Sequence, residues 1–81
     1  MFVYILKSLK TKKYYIGSTR NISERLRLHN LGLTPSTKHG IPWEVIYTEE
    51  YSDKKAALKR EKQIKSYKGG NAFKKLIGGV A

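Results

Sequence analysis

The chain has no cysteine, only two prolines and six acidic residues among 81. Without cysteine there is neither a disulfide framework nor a thiolate zinc site, and two histidines are too few for a structural zinc centre. No apolar run approaches the roughly 20 residues needed to span a bilayer. The opening Phe-Val-Tyr-Ile-Leu lacks the basic lead and the length of a secretion signal. A soluble, cytoplasmic protein without a membrane partner is the expectation, built as one domain over residues 1–81 with a modest core.

Against those few acids stand 17 lysines and arginines, a formal charge of +11. Repulsion on that scale opposes compaction, and a polyanion relieves it; nucleic acid is the commonest one. An anionic membrane surface or a merely solubilising lysine coat would account for the charge alone. Six tyrosines and a tryptophan in so short a chain favour nucleic acid, because phosphate and base contacts draw on cations and aromatic rings together.

Five apolar residues in a row, Phe2 to Leu6, predict a strand covered on both faces. Lys7 to Lys12 is polar and leaves the turn type open, and Tyr14 to Gly17 returns as a second strand. With an even number of residues in the hairpin loop, Tyr4 and Tyr15 project from the same face, which is the arrangement expected. Gly17 marks a turn or a close approach of backbone. Asn21 fits an N-cap with Glu24 completing a capping box, and Gly32 fits the stop of that first helix. Ile22, Leu26 and His29 or Asn30 follow one stripe. Arg25 and His29, four apart, aim a guanidinium and an imidazole the same way.

Leu31 to Pro42 reads as a loop, long for a small domain and so a candidate for function. Trp43 to Tyr51 predicts a third strand with Trp43, Val45 and Tyr47 on one better-buried face. Ser52 or Asp53 caps a second helix through about Tyr67, Gly69-Gly70 breaks it, and a last helix near Ala72 to Ile77 precedes a Gly-Gly-Val-Ala tail. In the second helix Glu61 falls between Ala57 and Ile64, on the inward stripe. A carboxylate there must be paired, hold a metal or sit at the edge of a cleft.

Tyr15-Ile16-Gly17 followed by Ser18, Arg25 and His29 on the first helix, and Arg60-Glu61 on the later one, resemble the GIY-YIG nuclease family, especially its small single-domain members. Phe2-Val3-Tyr4 stands where Gly-Ile-Tyr would be and keeps only the tyrosine. A late asparagine of the family has Asn71 as a loose counterpart. The resemblance implies an α/β fold of the α+β type, a small three-stranded antiparallel sheet flanked by three helices. It further implies a metal-dependent endonuclease that hydrolyses phosphodiester bonds in nucleic acid, DNA being favoured. In that scheme Glu61 holds a divalent cation, Mg²⁺ or Mn²⁺, and Arg25 stabilises charge on the phosphate. Tyr4 is favoured as the base and Tyr15 as a phosphate or water ligand, while His29 hydrogen-bonds a tyrosine or relays a proton. A phenol in that role calls for a cationic setting that lowers its pKa. Gly17, Ser18, Arg20, Arg27 and Lys38 are expected along the nucleic acid. With no recognition domain in view, sequence preference should be weak, with shape or a protein partner supplying specificity. The alternatives are a non-catalytic nucleic-acid-binding module on the same fold, or an adaptor for an acidic protein.

Overall fold

The computed structural model describes residues 1–78; of the expected tail, residues 79–81 lie outside the described residues. The elements run β1 (Phe2–Ser8), β2 (Tyr14–Thr19), α1 (Ile22–Asn30), a 3₁₀ turn at Lys38–Gly40, β3 (Trp43–Glu50), α2 (Lys54–Ser66) and α3 (Asn71–Gly78). The strands form one antiparallel sheet in the order β2-β1-β3. This is the α+β architecture expected. Among the described residues no helix is long and apolar enough to cross a membrane.

The continuous apolar run makes β1 the central strand. Val3 and Ile5 face α2 and α3, meeting Ala57, Ile64, Phe73 and Ile77, while Tyr4 and Leu6 face α1 and meet Trp43, Ile22 and Leu26. Each of the four is no more than 1 % exposed, and a fully buried aliphatic side chain contributes roughly 1.5–3 kcal/mol. No other strand buries both of its faces so completely.

The hairpin pairs Lys7 with Tyr14 and Tyr4 with Gly17, so Ser8 to Lys13 is an even loop and Tyr4 and Tyr15 share a face. Buried Ser8 organises the turn: its hydroxyl accepts from the amides of Lys10 (3.1 Å) and Thr11 (2.8 Å) and donates to the Gly40 carbonyl (2.6 Å). Strand β2 continues past Gly17 to Thr19, so this glycine marks a close approach and not a turn.

Strand β3 departs from the expected alternation. Ile5 pairs with Tyr47 but Leu6 pairs with Val45, leaving Ile46 as the extra residue of a bulge. Trp43 and Val45 therefore pack on the α1 side, while Ile46 and Tyr47 pack on the α2 side. The single buried face assumed for Trp43, Val45 and Tyr47 is corrected by that one-residue slip, which inverts every side chain beyond it.

Asn21 caps α1 as expected, its side chain accepting from the Glu24 amide at 3.0 Å. The capping box is only half made. The Glu24 carboxylate turns to Arg27, and the Asn21 amide donates to Thr19 Oγ1 instead. At the far end Gly32 adopts φ +78°, with its amide on the His29 carbonyl and the Leu33 amide on Leu28, a Schellman closure. Asp53 caps α2 by accepting from the Ala56 amide at 2.7 Å.

Candidate active site

Tyr4 from β1, Tyr15 from β2, and Arg25 and His29 from α1 meet on the α1 face of the sheet, at its β2 side. The ring centroids of Tyr4 and Tyr15 are 6.3 Å apart, and those of Tyr15 and His29 are 4.9 Å apart, edge to face. Gly17 lets this happen. A Cβ on it would lie 2.6 Å from the Tyr4 hydroxyl and 2.8 Å from Cζ, distances no side chain tolerates. The Tyr4 phenol thus lies across the backbone of β2.

His29 is fully buried, and its two nitrogens are assigned by their partners. Thr37 Oγ1 donates to the Thr34 carbonyl (3.2 Å) and so accepts from His29 Nδ1 (2.8 Å). Nδ1 then carries the proton, and Nε2 is free to accept from the Tyr4 hydroxyl at 3.1 Å. Burial, reinforced by the Arg25 charge, pushes the His29 pKa down, so the imidazole is neutral at pH 7. Burial pushes the Tyr4 pKa up, outweighing the lowering influence of Arg25; the charges of Tyr15 and Glu61 act with burial. This is opposite to the lowered phenol pKa that the sequence led us to expect, because the hydroxyl is more deeply enclosed than its cationic neighbour is close.

Arg25 lies beside Tyr4, and the phenol raises the guanidinium's pKa further. Its Nε is buried and has no acceptor among the described residues. A buried N–H without an acceptor is costly, and a turn of the side chain toward an anion would relieve it.

Glu61 approaches from the opposite face of the sheet. Its side chain is 16 % exposed and accepts from Ser18 Oγ (2.7 Å) and from Lys65 Nζ (2.6 Å). Of the possibilities for an inward carboxylate, pairing with a nearby cation is thus realised, at the edge of the sheet. Among the described residues no group of three or more His, Asp or Glu side chains could cage a metal. A lone hard carboxylate beside a hydroxyl fits a cation that keeps most of its waters and takes phosphate oxygens, as Mg²⁺ does.

The expected nucleic-acid contacts divide. Gly17 shapes the Tyr4 notch and Ser18 orients Glu61, so both are built into the site. Arg20 is exposed at the end of β2. Arg27 is engaged by Glu24 at 2.6 Å and sits two residues, about 200° of helix, from Arg25, so it points away from the tyrosines. Lys38 is exposed in the 3₁₀ turn. The long loop is packed in as the backing of the site. Thr37 holds His29, and Trp43 Nε1 donates to the Thr37 carbonyl at 2.7 Å. Thr37 gave no sign in the sequence beyond lying in that loop. Lys65, by contrast, is readable as the i+4 partner of Glu61.

The family model for the GIY-YIG catalytic domain matches residues 1–74. A UPF0213 protein of Staphylococcus epidermidis is 40% identical over 67 residues, covering 82% of this chain and 80% of its own length. UPF0213 proteins of Staphylococcus haemolyticus and Staphylococcus aureus are 37% and 39% identical over the same 67-residue length and the same shares. No solved structure matches the chain. With the family model spanning nearly all of the sequence, this chain belongs to the GIY-YIG catalytic domain family.

Proposed function

We propose that the protein is a metal-dependent endonuclease that hydrolyses phosphodiester bonds in nucleic acid, DNA being favoured, with weak sequence preference. Membership in the family supports a nuclease-type hydrolase in general. The observation that carries the finer reading is the hydrogen-bonded line Thr37–His29–Tyr4 beside the acceptor-less Nε of Arg25. It combines a proton path with an anion site.

In this mechanism the scissile phosphate lies against the Arg25 guanidinium, and a turn of that side chain toward the phosphate gives Nε the acceptor it lacks. The attacking water is aligned by the Tyr4 hydroxyl, which the missing side chain of Gly17 lets lie across β2. As water attacks phosphorus and the bond to the leaving sugar oxygen breaks, water's proton passes to Tyr4 Oη while Tyr4 gives its own to His29 Nε2. The leaving oxygen takes a proton from solvent, to which His29 afterwards returns one. No free phenolate is needed, which reconciles a phenol of raised pKa with work at neutral pH. Thr37 keeps the imidazole in the accepting tautomer, and Tyr15 orients the water or a phosphate oxygen. Glu61, steadied by Ser18, would hold the divalent cation, Mg²⁺ or Mn²⁺. Bound there, the cation would supply Lewis-acid stabilisation of charge on the phosphate.

The test is cleavage of labelled single-stranded, duplex, flap and branched DNA and of RNA, with Mg²⁺ or Mn²⁺ and with EDTA. Metal-dependent cutting that disappears in Arg25→Ala and Glu61→Gln is expected. Binding without cutting, unchanged in both variants, would leave a nucleic-acid-binding module on a nuclease fold.

A further inference from the structure

Tyr14, Ile16 and Ser18 alternate with Tyr15 and Gly17 along β2 and so project from the face opposite the tyrosine pair. Ser18 reaches Glu61. Some 7 Å further along the strand, on the Glu61 side, a groove of about 490 Å³ opens between the β2 edge, the end of α2 and α3. That volume is typical of sites for small organic groups.

Its floor is apolar and partly aromatic: Tyr14, Ile16, Ile64 and Phe73. Lys12, Lys13, Lys65 and Lys68 line it as well, and no carboxylate does. A flat, weakly polar group attached to an anion matches both features, and a nucleotide is such a group, with its base on the floor and phosphate on the lysines. Tyr14 is held edge to face on Phe73, centroids 5.0 Å apart, yet remains 41 % exposed. Lys7 Nζ lies over one face of the ring, 5.8 Å from its centroid, so the rest of this fixed, exposed ring is the surface a base would stack on.

The backbone adds a second observation. Lys12 has φ 64° and Lys68 φ 50°, left-handed conformations that glycine adopts without strain and lysine does not. Two separate connections, the β1–β2 hairpin and the α2–α3 link, each place a lysine where glycine would be easier, and both lysines line this groove. Folding alone disfavours that choice, whereas a phosphate contact explains it.

We propose that this groove seats an unpaired nucleotide flanking the phosphate held at Arg25, on the Glu61 side of the sheet, so that the substrate class is single-stranded nucleic acid or a duplex interrupted by an unpaired base. The proposal rests on nucleic acid being the substrate. A base stacked inside a duplex reaches the floor only by leaving its stack, an energetic penalty already met in single strands and flaps.

The experiment uses single-stranded DNA carrying 2-aminopurine, and the same strand in a duplex, titrated in EDTA so that nothing is cut. Preferential binding of the single strand, with quenching of the probe, is expected. Lys12→Gly/Lys68→Gly should melt no lower than the natural protein and bind the single strand about tenfold more weakly. Its salt dependence should be shallower by about 1.4, two phosphate contacts at about 0.7 each. Tyr14→Leu should keep the salt dependence and lose the quenching. The groove is overturned if duplex binds as tightly as single strand, if the glycine pair binds no more weakly than a Lys54→Ala/Lys55→Ala control, or if Tyr14→Leu quenches normally. A protein that binds in this way but cuts nothing in metal contradicts the nuclease reading alone. One that cuts while showing no single-strand preference contradicts the groove alone.

Discussion

The Tyr4 hydroxyl lies 3.1 Å from His29 Nε2, and neither side chain is more than 1 % exposed. Because the His29 pKa is lowered from its ordinary 6.5, the neutral, proton-accepting imidazole persists into mildly acidic solution. The single-turnover cleavage rate should therefore rise with pH through a midpoint below 6.5 and be level near neutrality. A rate still rising above pH 10, the ordinary phenol value that burial raises, would mean instead that Tyr4 acts by its own ionisation. Tyr4→Phe should slow cutting by about 10² to 10⁴-fold, the usual range for a lost acid–base group, and Tyr15→Phe should slow it less. The folding sign is the same. Between the unfolded value and the lowered folded one the unfolded chain binds more protons, so stability falls as pH drops below 6.5. Rates should be taken well under the melting temperature.

Gly17 and Tyr4 make the second prediction. A methyl at Gly17 would meet Tyr4 at 2.6 and 2.8 Å, and overpacking of this kind costs about 1–3 kcal/mol. Gly17→Ala should lower the melting temperature and displace the phenol from His29. In a Tyr4→Ala background the same substitution should be much cheaper. Equal penalties in the two backgrounds, measured by denaturant melts, would show that the contact is not the cause.

Much of this fold was readable because local rules agreed with it. The unbroken run Phe2 to Leu6 marked the central strand, the even hairpin loop placed Tyr4 beside Tyr15, and Asn21, Gly32 and Asp53 gave helix ends. Arg25 and His29 were legible together because a helix repeats that spacing. The bulge at Ile46 was not legible, since it arises from the pairing with β1 and has no signature in Val45-Ile46-Tyr47. Nor was Thr37, whose role depends on a loop folding back eight residues after His29. The direction of the Tyr4 pKa was missed for a related reason: counting cations in a sequence says nothing about how deeply the hydroxyl is enclosed.

A third prediction concerns the other side of the sheet. Glu49 accepts from Arg60 Nε (2.9 Å) and Nη2 (3.0 Å), and from the hydroxyls of Tyr47 and Tyr51. Burial alone would raise its pKa, but these donors overcome that and hold it at about 2 against an ordinary 4.5. A depressed carboxylate stabilises fully above its unfolded value, and that stabilisation is lost as pH falls from about 4.5 toward 2. It amounts to at most about 3 kcal/mol by linkage. Glu49→Gln should thus melt well below the natural protein at pH 7, and the gap should shrink toward pH 3. A gap independent of pH would rule out the ion pair as its source.

The last prediction follows from the clamp between α1 and β3. Trp43 donates its amide to Asn30 Oδ1 at 2.7 Å, and Asn30 Nδ2 donates back to the Trp43 carbonyl at 3.1 Å. Trp43 in turn fixes Thr37 through its indole, and Thr37 fixes His29, so Asn30 supports the imidazole from the same helix through a different strand. Asn30→Ala strands one amide and one carbonyl, a loss of about 1–3 kcal/mol for each buried group left without a partner. Trp43 is the one tryptophan of the chain, so its fluorescence reports this site directly. Its emission should shift to the red in Asn30→Ala under native conditions, with cleavage reduced even where the variant is fully folded. Asn30→Asp keeps the acceptor for the Trp43 amide but loses the donor, and should fall between the two. If both variants cut at the natural rate with unshifted emission, His29 is held by Thr37 without help from the clamp.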